Sequence, residues 1–368
     1  MSFISTLKQP TLLLDEQKCK ANIKRMADKA REQDIVLRPH FKTHQSAVVG
    51  EWYRDQGIDR ITVSSVTMAQ YFAEHGWRDI LIAFPVNWHE VDEINELAAR
   101  VRLGLLVDSA ESIRYLAKHI KTPVGIWLKV DTGINRAGIP YNDTAMMLAL
   151  AKQVHSTKNL RLEGLLTHAG HTYKAAKPGN VATVYATSVA AVNVGKHILE
   201  ASGVPAVKLS VGDTPGCTLS PSLGEVDEIR PGNFVFYDGQ MLCKQVCEWD
   251  QIAMVLACPI VSVQPERNEV IVYGGAIHFS KDTMQDENGV HHGNLVRLNA
   301  DGSWNAPVPG GYLARQSQEH GVIHVPNLKD SGLRIGDWVG IIPAHVCLTV
   351  SATHKYTTLG GQEIKTFA

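Results

Sequence analysis

Lys42 sits in IVLRPHFKTHQ, where an apolar run, Ile35-Val36-Leu37, ends in Arg38, His40, Lys42 and His44. Apolar runs of this kind go inside. A buried strand would therefore deliver four cationic or titratable groups to one end. Neighbouring cations lower a lysine's pKa and favour its neutral amine. The neutral amine is the form that condenses with a carbonyl group. A second stretch, SVGDTPG, spans Ser210 to Gly216. Its small residues leave backbone N–H groups free to point at an anion; a tight turn needing glycine is the plainer reading. A third stretch, PAHVCLTV, places His345 and Cys347 two apart in a β-like pattern, on one face. Imidazole plus thiolate suits zinc, and two protein ligands leave positions for water and substrate. A packed cysteine beside a hydrogen-bonded histidine is the plainer reading there. His291 and His292 in DENGVHHG read as a solvated loop, and Cys243 with Cys247 as packing.

These residues need a scaffold. The first two-thirds of the chain alternates short β-rich runs with longer helical ones. Candidate strands are Ile35–Leu37, Arg60–Val63, Ile80–Phe84, Val101–Val107, Val124–Val130, Leu162–Leu166, Val207–Val211 and Phe234–Tyr237. Helical patterns separate them, from Gln17–Gln33 to Asn180–Ala201, with cap signals near Asp108 and Asn142. Alternation of this kind implies parallel strands with crossover helices, and eight strands close a (β/α)8 barrel. An open doubly wound sheet is the rival, but no glycine fingerprint follows the first strand and no Walker-A loop occurs. After about Cys247 the texture turns β-rich without long helical patterns, which reads as an antiparallel β domain. The opening PTLLLD is extended and could pair with that domain. The expected division is a barrel over 12–245 and a β domain over 246–368 together with 1–11.

The 368 residues carry a formal net charge of −1, which disfavours nucleic acid and anionic membrane as partners. No window approaches the ~20 apolar residues of a spanning helix, and the start lacks a secretory pattern. A cytoplasmic protein is expected, with its six scattered cysteines as free thiols or ligands.

A barrel gathers its chemistry at the C-terminal ends of its strands. There strand one offers Arg38, His40 and Lys42. Strand five offers Asp131 and Arg136, and strand six His168, His171 and Tyr173. Strand seven offers Ser210, Gly212, Asp213 and Thr214, and strand eight Tyr237 and Asp238. A lysine at one strand end and an anion cradle after strand seven together suggest pyridoxal phosphate.

The motifs LRPHFKTHQ, DTGINRAGI, HAGHTY, SVGDTPG, RPGNFVFYDG and PAHVCLTV, in this order, resemble the D-serine dehydratase and D-threonine aldolase family. These are fold-type III, alanine-racemase-like pyridoxal-phosphate enzymes, and the resemblance runs from about Thr11 to His354. It implies a barrel joined to a β domain with metal ligands, and a homodimer. By motif, Lys42 resembles the Schiff-base lysine and Arg136 the arginine near the cofactor's phenolic oxygen. Tyr173 resembles a cofactor-lining tyrosine. Gly212 with Thr214, and Tyr237 with Asp238, resemble the phosphate-binding group. His168 and Ser210 complete the expected cofactor set. His345 and Cys347 resemble a metal pair for Zn2+ or another divalent ion. In this family His-x-Cys implies the dehydratase branch and His-x-Asp the aldolases. The stretch YGGAIHFSKD, Tyr273 to Asp282, departs from the dehydratase pattern. The implied activity is a lyase acting on a small D-β-hydroxy amino acid, giving a 2-oxoacid and ammonia. A retro-aldol lyase and an amino-acid racemase are the alternatives, ahead of a pyridoxal-phosphate carrier or a cofactor-free scaffold.

Overall fold

The computed structural model describes residues 3–175, 178–204 and 207–367. The chain divides into two compact units: Arg25–Lys42 with Gly50–Gly232, and Met1–Lys24 with Thr43–Val49 and Asn233–Ala368.

The first unit holds a parallel eight-stranded barrel. Its strands are Val36–Leu37, Arg60–Val63, Asp79–Pro85, Arg102–Val107, Val124–Asp131, Leu160–Thr167, Lys208–Val211 and Glu228–Ile229. In space they run one, eight, seven, six, five, four, three, two. A parallel bridge between His40 and Thr62 joins strand one to strand two and closes the ring. Helices alternate with the strands as the sequence pattern predicts, among them Val66–Glu74, Ala110–His119 and Thr144–His155. Ser65, Ser109 and Asp143 cap these three by accepting from the backbone N–H three residues on. Each such cap is worth about 1 kcal/mol. Side-chain alternation turns Leu81, Leu106, Trp127 and Leu166 into one buried cluster.

One strand lies elsewhere than the sequence suggests. The eighth is Glu228–Ile229, paired with strands one and seven. The apolar run Phe234–Tyr237 instead contains a 3-10 turn, Asn233–Val235, and belongs to the second unit.

That unit is built on a nine-stranded sheet. Met254–Gln264 is its long central strand, pairing antiparallel with Trp338–Pro343, Glu269–Tyr273 and Thr11–Leu14. The N-terminal run thus joins the β sheet, where it also pairs in parallel with Lys355–Thr358. A second departure concerns PAHVCLTV. It does not continue the strand Trp338–Pro343 but turns into a helix, Val346–Thr353.

Candidate active site

Lys42 is positioned by its neighbours. Phe41 N–H donates to Thr62 O at 2.8 Å. The fully buried Phe41 ring packs against Tyr53, Phe72 and Trp77, with centroids 4.9–5.0 Å apart. These contacts hold the backbone where the Lys42 side chain emerges exposed. Lys42, Arg230, His168 and Arg136 all act electrostatically on His40. Burial first, then Lys42, Arg230 and Arg136, hold the His40 imidazole well below its usual pKa. His168 is pushed down to about 3, by burial and by Lys42, Arg136 and Lys129. Both imidazoles are therefore neutral at pH 7.

Two members of this cluster escaped the sequence reading. Lys129, buried on strand five, donates to Val130 O at 2.8 Å. Burial, Arg230 and Arg136 lower its pKa to about 7, against the opposing pull of Asp131 and Asp108. Arg230 directly follows strand eight and is buried, donating to Ser210 Oγ and Thr167 O at 2.6 Å each. Parity could have flagged both: Lys129 is two before Asp131, and Arg230 two after Glu228, on inward-facing strand positions.

The loops after strands five to seven are shaped by local hydrogen bonds. Asp131 Oδ1 accepts from the backbone of Gly133, Ile134 and Asn135, at 2.9–3.2 Å, and so sets the loop that carries Arg136. Gly138, with φ +118°, packs against Lys129; a Cβ there would meet Lys129 Cγ at 2.9 Å. His168 Nδ1 lies 2.6 Å from Gly212 O. Thr214 N–H donates to the Tyr173 hydroxyl at 3.4 Å. Asp213 caps the short helix Thr214–Leu219 and accepts from Thr172 Oγ1 at 2.7 Å. Gly212 lies where a Cβ would approach Arg230 N at 2.6 Å, so only glycine fits this strand crossing. His168, Tyr173, Gly212 and Thr214 thus form one connected group.

Other expected residues are engaged differently. Ser210 faces the barrel interior, donating to Glu228 Oε1 at 2.5 Å and accepting from Arg230. Arg38 does not join the strand ends; it pairs with Asp79 at 2.7 Å and Glu228 at 2.8 Å, low in the barrel. His44 is fully buried, and its carbonyl accepts from the Tyr356 hydroxyl at 3.1 Å. Since Phe234–Tyr237 is not a barrel strand, Tyr237 and Asp238 do not mark a barrel strand end. Tyr237 takes a left-handed φ of +52°. Asp238 caps Gly239–Cys243 and accepts from Met241 N and Val346 N, at 3.0 and 3.1 Å, and from Asn233 Nδ2 at 2.6 Å.

That last set explains the helix at Val346. His345 precedes it and Cys347 lies in its first turn, so the pair shares a helix start rather than a strand face. The two side chains remain in contact. Burial alone would lower the His345 pKa, but Cys347, Asp282 and Asp238 outweigh it and raise it to about 11. His345 Nδ1 lies 3.1 Å from Asp282 Oδ2, and Thr43 Oγ1 lies 3.3 Å from Cys347 Sγ. Thr43 immediately follows Lys42 in sequence. Among the described residues no three His, Cys, Asp or Glu side chains form a ready-made metal cluster. The donors therefore fit an open two-ligand site, with imidazole and thiolate as in zinc chemistry. His291 is not in a solvated loop; it is fully buried, 3.0 Å from Asp286 Oδ2. None of the six cysteines forms a disulfide, and no helix among the described residues is long and apolar enough to cross a membrane.

Two family models match the chain: the alanine racemase N-terminal domain over residues 14–239 and a putative serine dehydratase domain over 253–359. A D-threo-3-hydroxyaspartate dehydratase of Delftia sp. (strain HT23) is 29% identical over 365 residues, covering 96% of this chain and 94% of that one. A D-serine dehydratase of Dictyostelium discoideum is 27% identical over 379 residues, covering 96% and 93%. The solved structure of the Delftia enzyme superposes with a TM-score of 0.90 at 28% identity, covering 100% of this chain and 99% of that one. A cysteine-to-alanine mutant of such a dehydratase has been solved in the metal-free form. The fold and both matched models define an alanine-racemase-like, pyridoxal-phosphate-dependent lyase. The chain belongs to the alanine racemase N-terminal domain family, here joined to a putative serine dehydratase domain.

Proposed function

We propose that this protein dehydrates a small D-β-hydroxy amino acid, D-serine-like, to a 2-oxoacid and ammonia, using pyridoxal phosphate and a divalent metal, Zn2+ by donor type. The observation that carries the reading is the cation-rich group at the barrel's strand ends: Lys42, Arg136 and Arg230 around a neutral His40. Such a group suits a small anion, and the only lysine of the three is the carbonyl-condensing candidate.

Pyridoxal phosphate, when bound, withdraws electrons from the substrate's Cα and so acidifies its proton. Lys42 would hold the cofactor by its carbonyl group, and its free amine would serve as the general base for that proton. Arg136 would hold the cofactor's phenolic oxygen, as the family resemblance implies. The connected group of His168, Tyr173, Gly212 and Thr214 supports the phosphate, with Ser210 setting Arg230 from below. Tyr237 stays in the cofactor set on the family resemblance. Asp238 braces the helix that carries Cys347. A divalent cation, when bound, polarises the β-hydroxyl and makes it a better leaving group. His345 and Cys347 hold that cation. The cysteine at position 347 supports dehydration over retro-aldol cleavage, following the family pattern. Six cysteines without a disulfide support a cytoplasmic setting, and the family resemblance supports a homodimer.

The test is a product assay on purified protein with pyridoxal phosphate and zinc. D-serine, D-threonine and D-3-hydroxyaspartate are offered in turn, with an EDTA control. Oxoacid plus ammonia, lost with EDTA, is the expected outcome. Glycine plus an aldehyde or glyoxylate would move the protein to the aldolase branch. Enantiomer interconversion indifferent to EDTA would make it a racemase.

A further inference from the structure

The stretch that departs from the dehydratase pattern ends beside the metal pair. The short helix Ala276–Phe279 terminates at Ser280, whose φ of +79° and ψ of 178° fall in a region that essentially only glycine occupies. Backbone strain of this kind persists only where the surroundings over-determine it. Here they do. Gln316 Nε2 donates to Ser280 O and lies 3.1 Å from His292 Nδ1. His292 Nδ1 lies 3.0 Å from Asp282 O. Asp282 N–H donates to Ser280 Oγ at 3.2 Å. Thr349, on the helix that carries Cys347, donates to Phe279 O at 2.9 Å. All these ties converge on one placement: Asp282 Oδ2 sits 3.1 Å from His345 Nδ1.

An imidazole that gives one nitrogen to a carboxylate presents the other in a fixed tautomer and orientation. With Nδ1 facing Asp282, Nε2 is the nitrogen left to ligate. We propose that Asp282 is a positioning residue of the metal site. It accepts the Nδ1 proton of His345, commits Nε2 to the metal and strengthens that nitrogen as a donor, so that two protein ligands suffice. The strained Ser280 loop and its Gln316–His292 brace exist to hold the carboxylate there. This rests on the reading of His345 and Cys347 as the metal pair.

Zinc affinity, measured by chelator competition on purified protein loaded with pyridoxal phosphate, tests it without reference to turnover. Asp282→Asn is expected to bind zinc about 10–100-fold more weakly. The cobalt(II)-loaded variant should keep its thiolate-to-metal charge-transfer band, because Cys347 still ligates. Gln316→Leu, which frees the loop but spares the carboxylate, should weaken zinc binding in the same direction by less. Wild-type affinity in Asp282→Asn would overturn the proposal. So would an altered cobalt ligand-field spectrum, which would make Asp282 a direct ligand. If Cys347→Ala binds zinc as tightly as the wild type, the metal-pair reading itself fails, a result distinct from either of these.

Discussion

At the N-terminal ends of the barrel strands, Arg38 pairs with Asp79 and Glu228, Arg102 with Asp79 and Glu163, and Arg161 with Glu163. All of these except Arg161 line a cavity of about 310 Å³ that carries both positive and negative groups. At the C-terminal ends, Lys42, Arg136, Lys129 and Arg230 crowd two imidazoles, and burial together with this charge lowers the proton affinity of His40, His168 and Lys129. The same side-chain types therefore do opposite work. Paired with buried carboxylates, a cation locks the floor. Set against other cations, it leaves the mouth short of negative charge, and an anionic ligand completes it. In barrels the floor carries stability and the mouth carries chemistry, and here the pairing pattern alone tells them apart.

That contrast can be broken most severely at the mouth. Lys42→Ala should cut turnover by about 10³-fold or more while circular dichroism and melting stay near wild type; retained turnover would move the base elsewhere. Outside the barrel, EDTA treatment or Cys347→Ala should each lower dehydration on the order of 10²–10³-fold, with zinc restoring only the EDTA-treated enzyme. At the floor the expected effect is on stability. Arg38→Met strands the Glu228 and Asp79 carboxylates and should cost about 3–5 kcal/mol in urea unfolding, without abolishing turnover. The smallest effect is in pH dependence. Lys129 titrates near 7 when folded and near its ordinary value of 10.5 when unfolded. The unfolded chain binds more protons between those values, so this group's penalty is fully present below pH 7 and fades as pH rises toward 10.5. Lys129→Met should therefore gain stability relative to wild type most below pH 7. Urea midpoints across pH 6–10 check the trend.

Much of this architecture was legible in the sequence because the strands are apolar runs separated by amphipathic helices. Glu228–Ile229 was not, since its inward residues are Glu228 and the following Arg230, charged groups whose partners, Arg38 and Ser210, lie elsewhere in the chain. Phe234–Tyr237 is apolar enough for a strand but is bent by the Asn233–Asp238 hydrogen bond. His345 and Cys347 alternate as in a strand, yet the distant Asp238 carboxylate takes the Val346 N–H and starts a helix there. Arg38 illustrates a limit of periodicity. It shares a face with His40, but two residues of strand separate them by roughly 6–7 Å, enough to place one at the floor and the other at the mouth. The chemistry proposed for Lys42 and the His345–Cys347 pair rests on residue type; Arg230, Lys129 and Asp282 are recognisable only through their partners.

The most direct test of the mouth is to locate the cofactor lysine. Purified protein saturated with pyridoxal phosphate is reduced with borohydride, digested and read by peptide mass spectrometry. The account predicts a single pyridoxyl adduct on the peptide carrying Lys42. An adduct on Lys129, the lysine of the group whose pKa is lowered to about 7, or none at all, would contradict it.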